Sequence, residues 1–140
     1  MKKLILFIGL ILMALTIDLN AQCTSGNCHN GKGKFEFENG DSYSGSWQDG
    51  KPNGAGTYEF SNGDRYVGEF KDGKFDGDGT YTWKDKSKYK GNWVAGKRDG
   101  YGKFTWPTGY SYFGKWVADA IEVTEVGASG EAQQKPSIKN

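Results

Sequence analysis

The chain predicts an all-β fold, an antiparallel meander of about eight strands with one β-hairpin per repeat, and three observations point to it. Of its 140 residues, 22 are glycine and 15% are aromatic, although only 36% are hydrophobic. Disordered sequences are poor in aromatics, so this mixture fits many short strands joined by tight turns. The stretch "YVGEFKDGKFDGDGTYTW", 66–83, moved by 23 residues in either direction, lands without a gap on "YSGSWQDGKPNGAGTYEF", 43–60, and on "YKGNWVAGKRDGYGKFTW", 89–106. Finally, 16 of the 21 aromatic residues fall on only four positions of that 23-residue register.

The chain opens on "MKKLILFIGLILMALTIDLNAQ", in which Lys2 and Lys3 precede an apolar run from Leu4 to Leu15. This is the layout of a secretory signal peptide, 1–21, cut after Ala21, although Leu19 fits the small-residue cleavage rule poorly. A spanning helix needs about 20 apolar residues, and Asp18 and Asn20 close this run early. Export would place the protein in the periplasm, at an outer membrane or outside the cell. Residues 22–30 then form an N-terminal cap. Within it a Cys23–Cys28 disulfide is expected, since paired cysteines staple small exported domains. Lipidation of Cys23 is the alternative, but that processing wants a small residue where Gln22 stands.

The array runs over 31–118, as a half unit 31–42, full units 43–65, 66–88 and 89–111, and a half unit 112–118. In each first half (Tyr43, Gly45, Trp47 and their equivalents) the aromatics and glycine share one parity. The second half does the same with Gly54, Gly56, Tyr58 and Phe60. Side chains alternate across a strand, so each half is a strand with its rings on one side. Glycines at 45, 68, 91 and 114, and at 56, 79 and 102, lie on that same side and leave room for rings to lie flat across the sheet. "QDGKPN", "KDGKFD" and "VAGKRD" provide the hairpin turns, and "SNGDR", "KDKSK" and "PTGYS" the connections. Lys86 replaces the turn glycine found at 40, 63 and 109, so a looser turn is expected there. "IEVTEV", 121–126, alternates as a last strand would, and "GASGEAQQKPSIKN" reads as a disordered tail within 119–140.

The pattern Y-x-G-x-[WF]-x-x-G-x-x-x-G-x-G-x-[YF] at this period resembles the MORN repeat (membrane occupation and recognition nexus) over residues 31–116. The resemblance implies an elongated, twisted single sheet of stacked hairpins without catalytic residues of its own. It also implies roles in membrane association, protein binding and self-association. Relatives with kinase activity carry a separate large kinase domain, for which the 24 residues after 116 leave no room.

Other chemistries fit badly. A calcium loop starting at Asp72 would put Lys74 at its third position and Trp83 where a bidentate acid belongs. Each G-x-G opens a strand after a turn, whereas a dinucleotide site needs a strand before it and a helix after it. His29 is the only histidine, which removes multi-histidine metal sites and most histidine-assisted nucleophiles. No cofactor is expected. Without residues 1–21 the basic and acidic residues balance at 16 each, from 18 and 17 less Lys2, Lys3 and Asp18. That balance argues against a nucleic-acid partner.

A local feature breaks the regularity. Phe75, Tyr101, Tyr110 and Phe113 lie off the aromatic register, and Tyr101 and Phe113 point away from the main stripe. The same face carries Lys88, Lys90, Lys103 and Lys115, and hairpin pairing of 88–94, 100–106 and 111–117 makes Lys90, Tyr101, Lys103, Phe113 and Lys115 neighbours. Residues 84–103 hold seven basic residues against Asp85 and Asp99, a local charge of +5. Lys88, Lys90, Tyr101, Lys103, Phe113 and Lys115 are the candidate binding site, for an acidic protein surface, an acidic glycan or anionic lipid headgroups. A solvated lysine face is the bland account. The single layer raises a second possibility: if its aromatic stripe stays open, it offers a surface for a protein, for a second copy or for glycan rings stacked on Trp47, Trp83, Trp93, Trp106 and Trp116. The expected function is therefore a non-enzymatic binding or scaffolding protein of a bacterial cell envelope.

Overall fold

The sequence alternation is realised as ten strands in one open sheet, laid side by side in chain order and antiparallel throughout. The computed structural model describes residues 22–122. The expected signal peptide, most of the 121–126 strand and the tail lie outside them. The strands are β1 (Gln22–Gly26), β2 (Gly31–Glu36), β3 (Ser42–Gln48), β4 (Lys51–Glu59), β5 (Arg65–Lys71), β6 (Lys74–Thr82), β7 (Lys88–Val94), β8 (Lys97–Thr105), β9 (Ser111–Val117) and β10 (Ala120–Ile121). Eight of the ten are the strands of the repeat. The cap adds β1, which pairs with β2 through a register shift, and the Cys23–Cys28 disulfide ties it to the turn that follows. At the other edge β10 supplies two residues beside β9.

What replaces a second layer is the way rings lie on the sheet. Glycines pair across each hairpin, Gly45 with Gly56, Gly68 with Gly79 and Gly91 with Gly102. The first tyrosine of each unit lies flat over that pair. A Cβ built on Gly56, Gly79 or Gly102 would come within 2.3 Å of the Tyr43, Tyr66 or Tyr89 hydroxyl, so no other residue fits there. Each of these hydroxyls donates to a carbonyl three residues on, Ser46, Glu69 and Asn92 respectively, at 2.9–3.1 Å. Trp93 and Trp116 then reach back over the preceding hairpin, donating Nε1–H to the carbonyls of Gly79 and Gly102. All three tyrosines are fully buried and Trp47, Phe70, Trp93 and Trp116 are at most 7% exposed.

Edge-to-face contacts run along this row: Tyr43 to Trp47 and Phe70, Tyr66 to Phe70 and Trp93, and Tyr89 to Trp93 and Trp116. Such pairs are worth about 0.5–1.5 kcal/mol beyond the area they bury. The outer rows, Phe35, Tyr58, Tyr81 and Phe104 with Phe37, Phe60, Trp83 and Trp106, stay half-buried. Two outcomes were open for the stripe, closed by ring-on-ring packing or partly exposed, and each holds in a different row.

The hairpin turns Asp49–Gly50, Asp72–Gly73, Ala95–Gly96 and Ala118–Asp119 have positive φ at both central residues, the two-residue turn whose twist matches the strands. Successive turns are tied together. The N–H of Gly50, Gly73, Gly96 and Asp119 donates to the carbonyl of His29, Pro52, Phe75 and Arg98 in the previous unit. The expectation of a looser turn at Lys86 is not met. Lys86 adopts φ 75°, and its N–H reaches the Trp83 carbonyl at 2.9 Å, matching the 3.0 Å bond of Gly63 to Phe60. A left-handed φ strains a side-chain-bearing residue without preventing the hydrogen bonds that define the turn.

Candidate functional site

Because the rings take the front of the sheet, the back displays the alternate residues. The pairs beside the central glycines are neutral in the first two full units and charged in the third. Pairing sets Ser44 opposite Thr57, Val67 opposite Thr80, and Lys90 opposite Lys103. Lys103 in turn pairs with Phe113, and Tyr101 with Lys115. Tyr101 and Phe113 are 61% and 68% exposed, with near-parallel rings whose centroids lie 6.2 Å apart. Beside them is an open depression of about 580 Å³ lined by Val67, Asp78, Thr80, Lys90, Tyr101, Lys103 and Phe113, with the backbone of Gly79, Gly91 and Gly102 as its floor.

Five of the six candidate residues are thus direct cross-strand neighbours, and Lys88 lies one row away between Thr82 and Thr105. Their charges are not equivalent. Lys115 Nζ is 2.8 Å from Glu122, whose hydrogen bond and charge raise the lysine pKa. Lys88, Lys90 and Lys103 make no ion pair among the described residues. Asp78 on the neighbouring strand is held by the Asn92 amide at 2.6 Å. The positive character therefore rests on Lys88, Lys90 and Lys103.

Two functional elements escaped sequence reasoning. One register position holds His29, Pro52, Phe75 and Arg98 in successive units, and in the second and third full units its side chain covers the buried rings. Phe75 stacks on Tyr66 at 3.7 Å, whereas the Arg98 guanidinium lies 4.5 Å above the Trp116 ring centre and 5.7 Å from that of Tyr89. Arg98 also bonds Asp119 through Nε at 3.0 Å, so this basic residue of the 84–103 run serves the front of the sheet. The hint was available in the shared position, but four chemically unlike side chains concealed it.

The second element is a chain of turn carboxylates. Asp41 accepts from Tyr58 Oη at 2.8 Å and from the Ser61 N–H of the next turn. Asp64 repeats this with Tyr81 at 2.7 Å and Lys84. Burial pushes both carboxyls up, but their hydrogen bonds outweigh it and hold each below its ordinary value. Burial also raises the Tyr58 and Tyr81 hydroxyls, helped by the carboxylate each one meets. One repeat further on the carboxylate becomes Ser87 and the tyrosine becomes Phe104, so both halves of the bond are lost together.

Among the described residues no cluster of three or more His, Cys, Asp or Glu could hold a metal, and no helix is long and apolar enough to cross a membrane. The MORN-repeat family model matches residues 29–42, 43–65, 66–88 and 89–109, more than half of the chain. The chain belongs to the MORN-repeat family. A search of curated proteins finds no match. The match starts at His29, two residues before the expected first half unit. MORN repeats point to a binding or scaffolding role, and in this chain three of the five stripe tryptophans, Trp47, Trp93 and Trp116, are buried. Only Trp83 and Trp106 are left for a ligand to stack on from the front.

Proposed function

We propose that this MORN-repeat chain is a non-enzymatic binding or scaffolding module of a bacterial cell envelope, and that it holds a protein partner through the back of its third unit. The exposure of Tyr101 and Phe113 carries this reading. Two large rings 6.2 Å apart are left in solvent on the back, whereas the aromatics of the repeat register are buried or half-buried along the front. Exposed apolar patches on soluble domains mark interaction sites. Export is supported by the signal-like 1–21 segment and by the Cys23–Cys28 disulfide, since such bonds persist in oxidising compartments.

The test is capture from solubilised envelope on immobilised residues 22–140 at low and moderate salt. The reading expects one protein retained at both salts and lost from a Tyr101→Ser/Phe113→Ser variant. A second reading, peripheral binding of anionic lipid headgroups, is favoured by Lys88, Lys90 and Lys103 beside the rings. It expects retention of anionic lipid only at low salt, because exposed charges are screened.

A further inference from the structure

The Lys90–Lys103 pair has a cost that its equivalents avoid. Like charges directly opposite on neighbouring strands destabilise a sheet, and the two earlier units carry the neutral pairs Ser44–Thr57 and Val67–Thr80 at these positions. Neither lysine is compensated by an ion pair among the described residues. We infer that the depression beside them is a docking site for an acidic peptide segment of the partner, with carboxylates meeting Lys90 and Lys103 and an apolar side chain against Tyr101 and Phe113. This rests on the protein-binding reading above and names its partner chemistry.

The charge pattern selects a peptide over a membrane. Asp78 and Glu69 share the back face on β6 and β5, and strands lie about 5 Å apart. An extended anionic plane laid on the lysines would therefore also meet these carboxylates. A single extended segment running along β7 and β8 touches the lysine strip and the rings and leaves Glu69 to solvent, so the one carboxylate it meets is Asp78, which the Asn92 amide already engages at 2.6 Å.

The probe is a fluorescein-labelled ten-residue peptide alternating glutamate and leucine, titrated into residues 22–140 and followed by anisotropy, with amide chemical shifts to locate it. Shifts confined to β7–β9 are expected, with affinity reduced about tenfold or more by Lys90→Glu/Lys103→Glu. The milder Lys90→Ser/Lys103→Thr variant restores the neutral pair of the first unit, so a loss of binding there is not a loss of fold. A peptide of ten glutamates should bind more weakly, for want of the apolar anchor. The inference falls if the alternating peptide does not bind, if both lysine variants bind it unchanged, or if its shifts fall on the front. It also falls if phosphatidylglycerol vesicles bind and both lysine variants abolish that binding. Failure of the peptide with continued capture of a protein through Tyr101 and Phe113 overturns this inference and leaves the protein-binding reading standing.

Discussion

The second and third full units share one backbone and spend their extra aromatics differently. In the second, Phe75 lies on Tyr66 and joins the core. In the third, Arg98 takes that place and the surplus rings, Tyr101 and the following Phe113, stand exposed on the back. The turns diverge in the same direction. Asp64, in the connection before the second unit, holds Tyr81 and the following turn of that unit, whereas Ser87 and Phe104 leave the third unit without that bond. The glycine and ring positions fix the sheet, and the remaining positions are free to add stability or to present a surface.

The sharpest separation should come from truncating a ring on each side. Phe70→Ala removes a side chain 3% exposed and should cost about 3–5 kcal/mol. Phe113→Ala should change stability by less than about 0.5 kcal/mol while weakening binding. Urea denaturation of both variants, with partner capture, checks the pair. Next is Gly79→Ala, whose new Cβ would meet the Tyr66 hydroxyl at 2.2 Å; a loss of about 1–3 kcal/mol is expected.

Tyr81→Phe deletes a hydrogen bond to a carboxylate and should cost about 1.5–3 kcal/mol. Phe104→Tyr should recover nothing, since Ser87 offers no charge; equal effects of the two changes would remove the distinction between the units. The same bonds set a pH dependence. Hydrogen bonds hold the Asp41 and Asp64 carboxyls below their ordinary value, so their contribution is present above the unfolded pKa and is lost as pH falls through the folded one. Melting temperature should decline on acidification below about pH 4, less steeply in an Asp41→Asn/Asp64→Asn variant. The smallest effect is a gain: Lys86→Gly relieves a φ of 75° and should add about 0.5–1 kcal/mol after the entropy cost of glycine.

These contrasts also show how far the sequence could be read. Strand order, the ring-bearing face and the neighbourhood of Lys90, Tyr101, Lys103, Phe113 and Lys115 all follow from a strict repeat of 23 residues and a side-chain period of two. What did not follow depends on where side chains end. Lys115 counted as a free positive charge until Glu122 met it at 2.8 Å. Arg98 counted toward a basic surface, yet its guanidinium lies on Trp116. Lys86 promised a slack turn because propensity weighs φ and not the hydrogen bonds that compensate it.

The central claim is that the front rings are core and the back of the third unit is the binding surface. Hydroxyl-radical footprinting of the aromatic side chains, with and without the captured partner, tests it most directly. Tyr101 and Phe113 should label readily in the free protein and become protected in the complex, with Tyr66, Phe70 and Trp93 unreactive in both. Protection confined to Trp83 and Trp106, with Tyr101 and Phe113 still labelled, would put the binding surface on the front and contradict the account.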